Sequence, residues 1–215
     1  MPKLLAVALF LAGLYLWVPR VVAYYGRTFF DDPKAKPGRL KLLALSIPLG
    51  TLLRFAALFY PAPALPFVAL MLVALAGVIL ADAKFQVIPD RFQMVGAIGA
   101  AGFAYHTGAG PLEPRLVAVG VGLFMVAGLY GLTRLYTLVR QRDALGLGDV
   151  KLLAWLSLAF GPDTFFVLVY GLLLALLAVM PLLVFRRKSM HSFFAFGPFL
   201  AAAAVLRLVE MTLVR

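Results

Sequence analysis

The 215-residue sequence contains no cysteine and no asparagine, and only nine of its residues are acidic. Without cysteine the chain can form no disulfide, no thiol nucleophile and no cysteine-ligated zinc site. Charged residues make up 13% of the chain and hydrophobic residues 64%, whereas soluble domains average about a quarter charged and about half apolar residues. The composition therefore excludes an ordinary soluble domain and indicates a polytopic membrane protein.

Long apolar runs predict an all-α membrane fold of about eight transmembrane helices. Spans must be helical because lipid cannot hydrogen-bond to the backbone, and the two-residue alternation of a membrane barrel is missing. The predicted spans are residues 4–24, 42–60, 65–82, 91–107, 114–138, 149–160, 164–185 and 193–213. They make a single membrane-embedded domain over residues 1–215, with a short polar first loop at 25–41. Gly96, Gly99 and Gly102 give the fourth span a face that a neighbouring helix can approach closely.

Basic residues set the predicted orientation in the cell (inner) membrane. The loops after the first, third, fifth and seventh spans carry most of the lysines and arginines, while the other side has only Lys3, Arg115 and Arg215. The positive-inside rule therefore places these loops in the cytoplasm and both termini outside it. The net charge of +11 then serves orientation and contact with anionic lipid, and it does not indicate nucleic-acid binding.

Few side chains could carry chemistry. No triad is evident around either histidine, His106 or His191, and the sequence has neither a His-Glu-x-x-His pair nor a phosphate-binding loop. If the protein is a hydrolase, carboxylates remain. Asp82 ends the third span and Asp149 begins the sixth, both at the predicted cytoplasmic boundary, so two packed helices could bring them together.

Two close carboxylates share one proton, so the ionised member can activate a water while the neutral member polarises a carbonyl. Helix dipoles suggest that Asp149, at a helix N-terminus, is the anion and that Asp82, near a C-terminus, is the neutral acid. Gly146 and Gly148 precede Asp149, and their bare backbone could lie against an extended substrate.

Plainer roles exist for the same acids. Asp149 could be no more than the N-cap of its helix. Asp90 follows Pro89 and stands three residues before Gln93, which is the pattern of a capping residue. Loop acids are expected to be solvated charges, namely Asp31, Asp32 and Asp143. A small transporter using Asp82 and Asp149 as proton or cation sites is an alternative function, although transporters usually place such sites near mid-bilayer. A membrane scaffold is a third alternative, which leaves the glycine loop unexplained.

Three sequence elements resemble the type IV prepilin peptidases. Asp82-Ala-Lys-Phe-Gln-Val-Ile-Pro89-Asp90 is similar to their D-x6-[IL]-P-[DN] stretch, and Gly146-Leu-Gly148-Asp149-Val-Lys151 is similar to their GxGD motif. Phe196-Gly197-Pro198 resembles their late FGP element. The three occur in the family's order and extend from about Val78 to Leu200.

This resemblance implies an aspartic peptidase with Asp82 and Asp149 as its catalytic pair at the cytoplasmic face. The implied partners are prepilins and the pseudopilins of type II secretion, whose short basic leader precedes an apolar helix. Many members also have a large first loop with two Cys-x-x-Cys pairs and methylate the new N-terminus. Here the loop is short and lacks cysteine, so we expect no metal and no cofactor, and S-adenosylmethionine only if methylation is retained.

Overall fold

A computed structural model describes residues 1–32, 36–107, 112–140, 146–184 and 195–213. These ranges contain no strand, and their α-helices are α1 (Pro2–Ala12), α2 (Val18–Phe29), α3 (Arg39–Phe59), α4 (Leu65–Phe85), α5 (Asp90–Thr107), α6 (Leu112–Arg140), α7 (Leu147–Phe160), α8 (Thr164–Val184) and α9 (Gly197–Leu213). The prediction of an all-helical protein is therefore confirmed.

Five stretches of the described chain are long and apolar enough to cross a membrane. They are Pro2–Phe29, Arg39–Phe59, Ala62–Phe85, Leu116–Val139 and Leu147–Pro181. The chain is accordingly a membrane protein. The count of about eight spans, the side on which the termini lie and the side of the candidate site stay predictions.

The first loop is shorter than the sequence suggested. A π-helical turn, Gly13–Trp17, joins α1 to α2, and α2 continues to Phe29, while α3 begins at Arg39. The predicted loop at 25–41 is therefore wrong at both ends. The helix extends because its continuation beyond residue 24 is amphipathic: Gly26 is buried and Tyr25 packs against the core, whereas Arg27 stays exposed. Tertiary packing of one face stabilises this segment, which its polar residues alone marked as a loop.

Helix α4 lies at the centre of the bundle and packs against α1, α2, α3, α5 and α9. The glycine face predicted on α5 is confirmed. A Cβ on Gly99 would stand 2.9 Å from the backbone oxygen of Phe67 in α4, and a Cβ on Gly96 would stand 2.6 Å from the ring of Trp155 in α7. Because glycine has no side chain, α5 can pack closely against both α4 and α7, the helices that carry the candidate aspartates.

An ion cluster joins α9 to the turn before α8. Arg207 of α9 contacts Asp163 through one guanidinium nitrogen at 2.5 Å and Glu210 through the other at 2.7 Å. Tyr170 donates a longer hydrogen bond to Glu210 at 3.4 Å. Asp163 and Glu210, two of the nine acids, are thus accounted for by structural ion pairing.

Candidate functional site

Asp82 lies in the last turn of α4 and is nearly buried, with 5% of its surface exposed. The turn ends at Gln86, whose left-handed backbone (φ 55°) closes the helix with a hydrogen bond from its N–H to the carbonyl of Asp82. The backbone N–H of Gly197 donates to Asp82 Oδ2 at 3.0 Å. Asp82 is therefore held between the end of α4 and the beginning of α9.

Asp149 is the third residue of α7, which begins after an extended Gly146. Its carboxylate accepts a hydrogen bond from the backbone N–H of Gly146, the return contact of a residue in the first helical turn. The other carboxylate oxygen, Oδ1, is buried and has no hydrogen-bond partner among the described residues. Gly146 is therefore the N-cap of α7, and the N-cap role considered for Asp149 is wrong. Asp149 stands in the first turn, and its Oδ1 is left over for another role.

Both carboxylates line one cavity of about 270 Å³, and they are close enough to repel each other electrostatically. Gly148 also lines it, and a Cβ there would stand 3.2 Å from Ile88, so the glycine allows the start of α7 to approach the segment between α4 and α5. Gly146 has more room, since among the described residues a Cβ there would meet only an oxygen of Asp149, at 3.4 Å.

Two further motif residues, Asp90 and Lys151, line the same cavity and pair with each other at 2.6 Å. The prediction that Asp90 caps α5 is wrong. The carbonyl of Pro89 accepts the first backbone hydrogen bonds of the helix, from Phe92 at 3.0 Å and Gln93 at 3.4 Å, so Asp90 stands inside the first turn and reaches across to α7 instead. Pro198 is the second residue of α9, where its missing N–H costs no helical hydrogen bond.

A buried hydrogen-bond chain that sequence reasoning missed holds the glycine motif in place. Gln93 donates to the carbonyl of Gly148 at 2.9 Å, and the indole N–H of Trp155 donates to Gln93 Oε1 at 2.9 Å. Gln93 is 6% exposed. The sequence did contain a signal for this chain: Gln93 lies on the glycine face of an apolar helix, and a buried amide needs polar partners.

We expect Trp155→Phe to destabilise the protein without removing a residue of the cavity. The substitution leaves Gln93 Oε1 buried without its donor, which lowers the free energy of unfolding by about 1–3 kcal/mol and the Tm by roughly 2–12 °C for a chain of this size. Thermal unfolding in detergent measures it. Trp17→Phe is the matched control, since Trp17 packs edge-on against Phe92; an equal fall in both variants would contradict the hydrogen-bond account.

The remaining candidates lie elsewhere. Asp32, expected to be a solvated loop charge, pairs with Lys84 at 2.7 Å. The His106 ring stacks on Phe67. Asp143 and His191 lie outside the described residues.

A comparison with protein-family models matches residues 67–185 to the type IV leader peptidase family. The match covers over half of the chain and includes both Asp82 and Asp149. The chain belongs to the type IV leader peptidase family. It is accordingly a membrane protease, as the three motifs suggested. The matched region ends before Gly197, so the structure, and not the family match, is the evidence for the contact from α9 to Asp82. No curated protein and no solved structure shows significant similarity to the chain.

Proposed function

We propose that this protease is an aspartic endopeptidase that removes the short basic leader from type IV prepilins and related pseudopilins at the cytoplasmic face of the cell membrane. One observation carries the proposal: Asp82 and Asp149, from two helices, line a single cavity with the glycine motif beside them. Family membership supports a protease acting on leader-bearing substrates. No comparable observation favours the transporter alternative.

The two carboxylates differ in their surroundings, and the difference suggests a role for each. Asp82 Oδ2 accepts an N–H at the start of α9, and both the bond and the helix dipole favour an anion there. Asp149 Oδ1 is buried without a donor among the described residues, which favours a protonated carboxyl. In the proposed mechanism Asp82 is the base and Asp149 the acid, the reverse of what the dipoles of α4 and α7 alone suggested.

Peptide hydrolysis then follows in two steps. A water attacks the scissile carbonyl carbon while Asp82 takes one of its protons and Asp149 gives its proton to the carbonyl oxygen. When the tetrahedral intermediate collapses, the carbon–nitrogen bond breaks, Asp82 returns its proton to the departing nitrogen, and Asp149 recovers its own from the former carbonyl oxygen. The pair ends in its starting protonation state.

The test is co-expression with prepilin and pseudopilin precursors in a host that lacks its own leader peptidase, followed by mass spectrometry of the product N-terminus. We expect leader removal from at least one precursor. Failure to cut any of several precursors, with the protein present in the membrane, would contradict the proposal and favour the transporter. The same spectra measure N-methylation with S-adenosylmethionine as donor, which stays an expectation implied by the family resemblance.

A further inference from the structure

A groove leads away from the aspartate cavity between helices α5, α6 and α7. Helix α7 packs against both α5 and α6, whereas α5 and α6 have little contact with each other over the described residues. The groove between α5 and α6, with α7 as its floor, has a volume of about 590 Å³. Asp90 and Lys151 line both this groove and the aspartate cavity, so the two spaces share a mouth.

The groove changes from polar to apolar along its length. Among the described residues that line it, the charged side chains are Asp90 and Lys151, which pair with each other at the mouth. Further in, its walls include Met94 and Ala97 of α5 and Leu123 of α6. Two turns of helix rise about 11 Å, so the span from Asp90 to Ala97 matches about two turns of a second helix lying alongside.

The floor suits a close helix–helix contact. Ala154 and Leu158 follow Lys151 at helical spacing on α7, so one face of that helix supplies the floor. Small residues such as Ala97 and Ala154 let helices approach within lipid, where packing rather than water drives association. Met94 is 66% exposed and Leu123 is 39% exposed, which leaves their side chains available to a partner.

We propose that this groove receives the apolar helix of the substrate, so that the boundary between leader and helix falls at Asp82 and Asp149. The inference rests on the proposed function and specifies how that substrate is held. Charge complementarity supports it: of the charged side chains that line the cavity beyond the mouth, Lys151 is paired with Asp90, and the proposed base Asp82 adds a further negative charge even with Asp149 protonated. A basic leader therefore meets local negative charge in a protein whose net charge is +11.

Cross-linking tests the placement directly, because the chain has no cysteine of its own. Met94→Cys is combined with Asp149→Asn to keep the substrate uncut, and the prepilin carries single cysteines along its apolar helix. We expect cross-links to positions within about two turns of the cleavage point. Ala127→Cys on an exposed part of α6 is the control and should give none. Equal cross-linking from both sites, or cross-links only between two copies of the protease, would overturn the proposal.

Kinetics provide a second readout that does not depend on the cross-linker. Ala97→Leu narrows the groove, so KM for the full precursor should rise roughly tenfold while kcat changes little, the pattern of lost substrate binding. Ala127→Leu should leave both constants unchanged. An unchanged KM for Ala97→Leu would overturn the docking site while the proposed function stands. If the parent protein cuts no precursor, the proposed function fails first and the groove proposal fails with it.

Discussion

Asp149→Asn is expected to lower leader removal by about 10³-fold, within the range that a general acid or base contributes. An amide cannot give up the proton that Asp149 is proposed to donate to the scissile carbonyl, yet it keeps the size and most of the shape of the carboxyl. The hydrogen bond from the N–H of Gly146 can be kept by the amide oxygen, so α7 should still begin where it does. Single-turnover cleavage of a purified prepilin in detergent measures the loss, and Asp82→Asn should cause a comparable one.

The matched control is Asp31→Asn, which makes the same chemical change at an exposed residue of the first loop. Its backbone has a positive φ of 48°, a conformation that asparagine tolerates well. We expect full activity from this control. Continued leader removal by either Asp149→Asn or Asp82→Asn at near-parental rate would refute the catalytic pair while leaving family membership untouched.

Gly197→Ala is expected to have the second-largest effect, a loss of roughly 10²-fold in kcat, typical of misplacing a catalytic group by about 1 Å. A Cβ at this position would stand 2.8 Å from Asp82 Oδ2 and 2.9 Å from Ile88 Cδ1. The carboxylate would have to rotate away from the Gly197 N–H that now holds it at 3.0 Å. The change adds one methyl group outside the region matched by the family model, so the loss would test the contribution of α9 to the site.

Gly128→Ala is the matched control because a Cβ there would meet no atom of the described residues within 4 Å. Alanine in an exposed helix is favoured over glycine by up to about 1 kcal/mol, so this variant should be at least as stable as the parent and fully active. Thermal unfolding of Gly197→Ala separates displacement of Asp82 from general unfolding. Parental kcat in a folded Gly197→Ala protein would show that the contact from α9 does not position Asp82.

The helices, the glycine face of α5 and the two candidate aspartates could be predicted from the sequence because their signals are local. Apolar runs of sufficient length mark membrane helices, and the three-residue spacing of Gly96, Gly99 and Gly102 marks a contact face. Elimination leaves the carboxylates as candidates, and Asp82 and Asp149 stand at the ends of two predicted spans. The weakest local prediction was the first loop. There the polar residues of α2 concealed a helix whose other face is buried.

The partners of each site residue were decided only by the tertiary structure. The N–H that binds Asp82 comes from Gly197, 115 residues away, and the amide that binds the Gly148 carbonyl comes from Gln93, 55 residues away. From the sequence, the dipoles of α4 and α7 favoured Asp149 as the anion. The sequence does not show that the N-terminus of α9 lies beside Asp82. A residue's own helix can be inferred from local sequence, whereas the atoms that surround a buried carboxylate depend on which helices pack together.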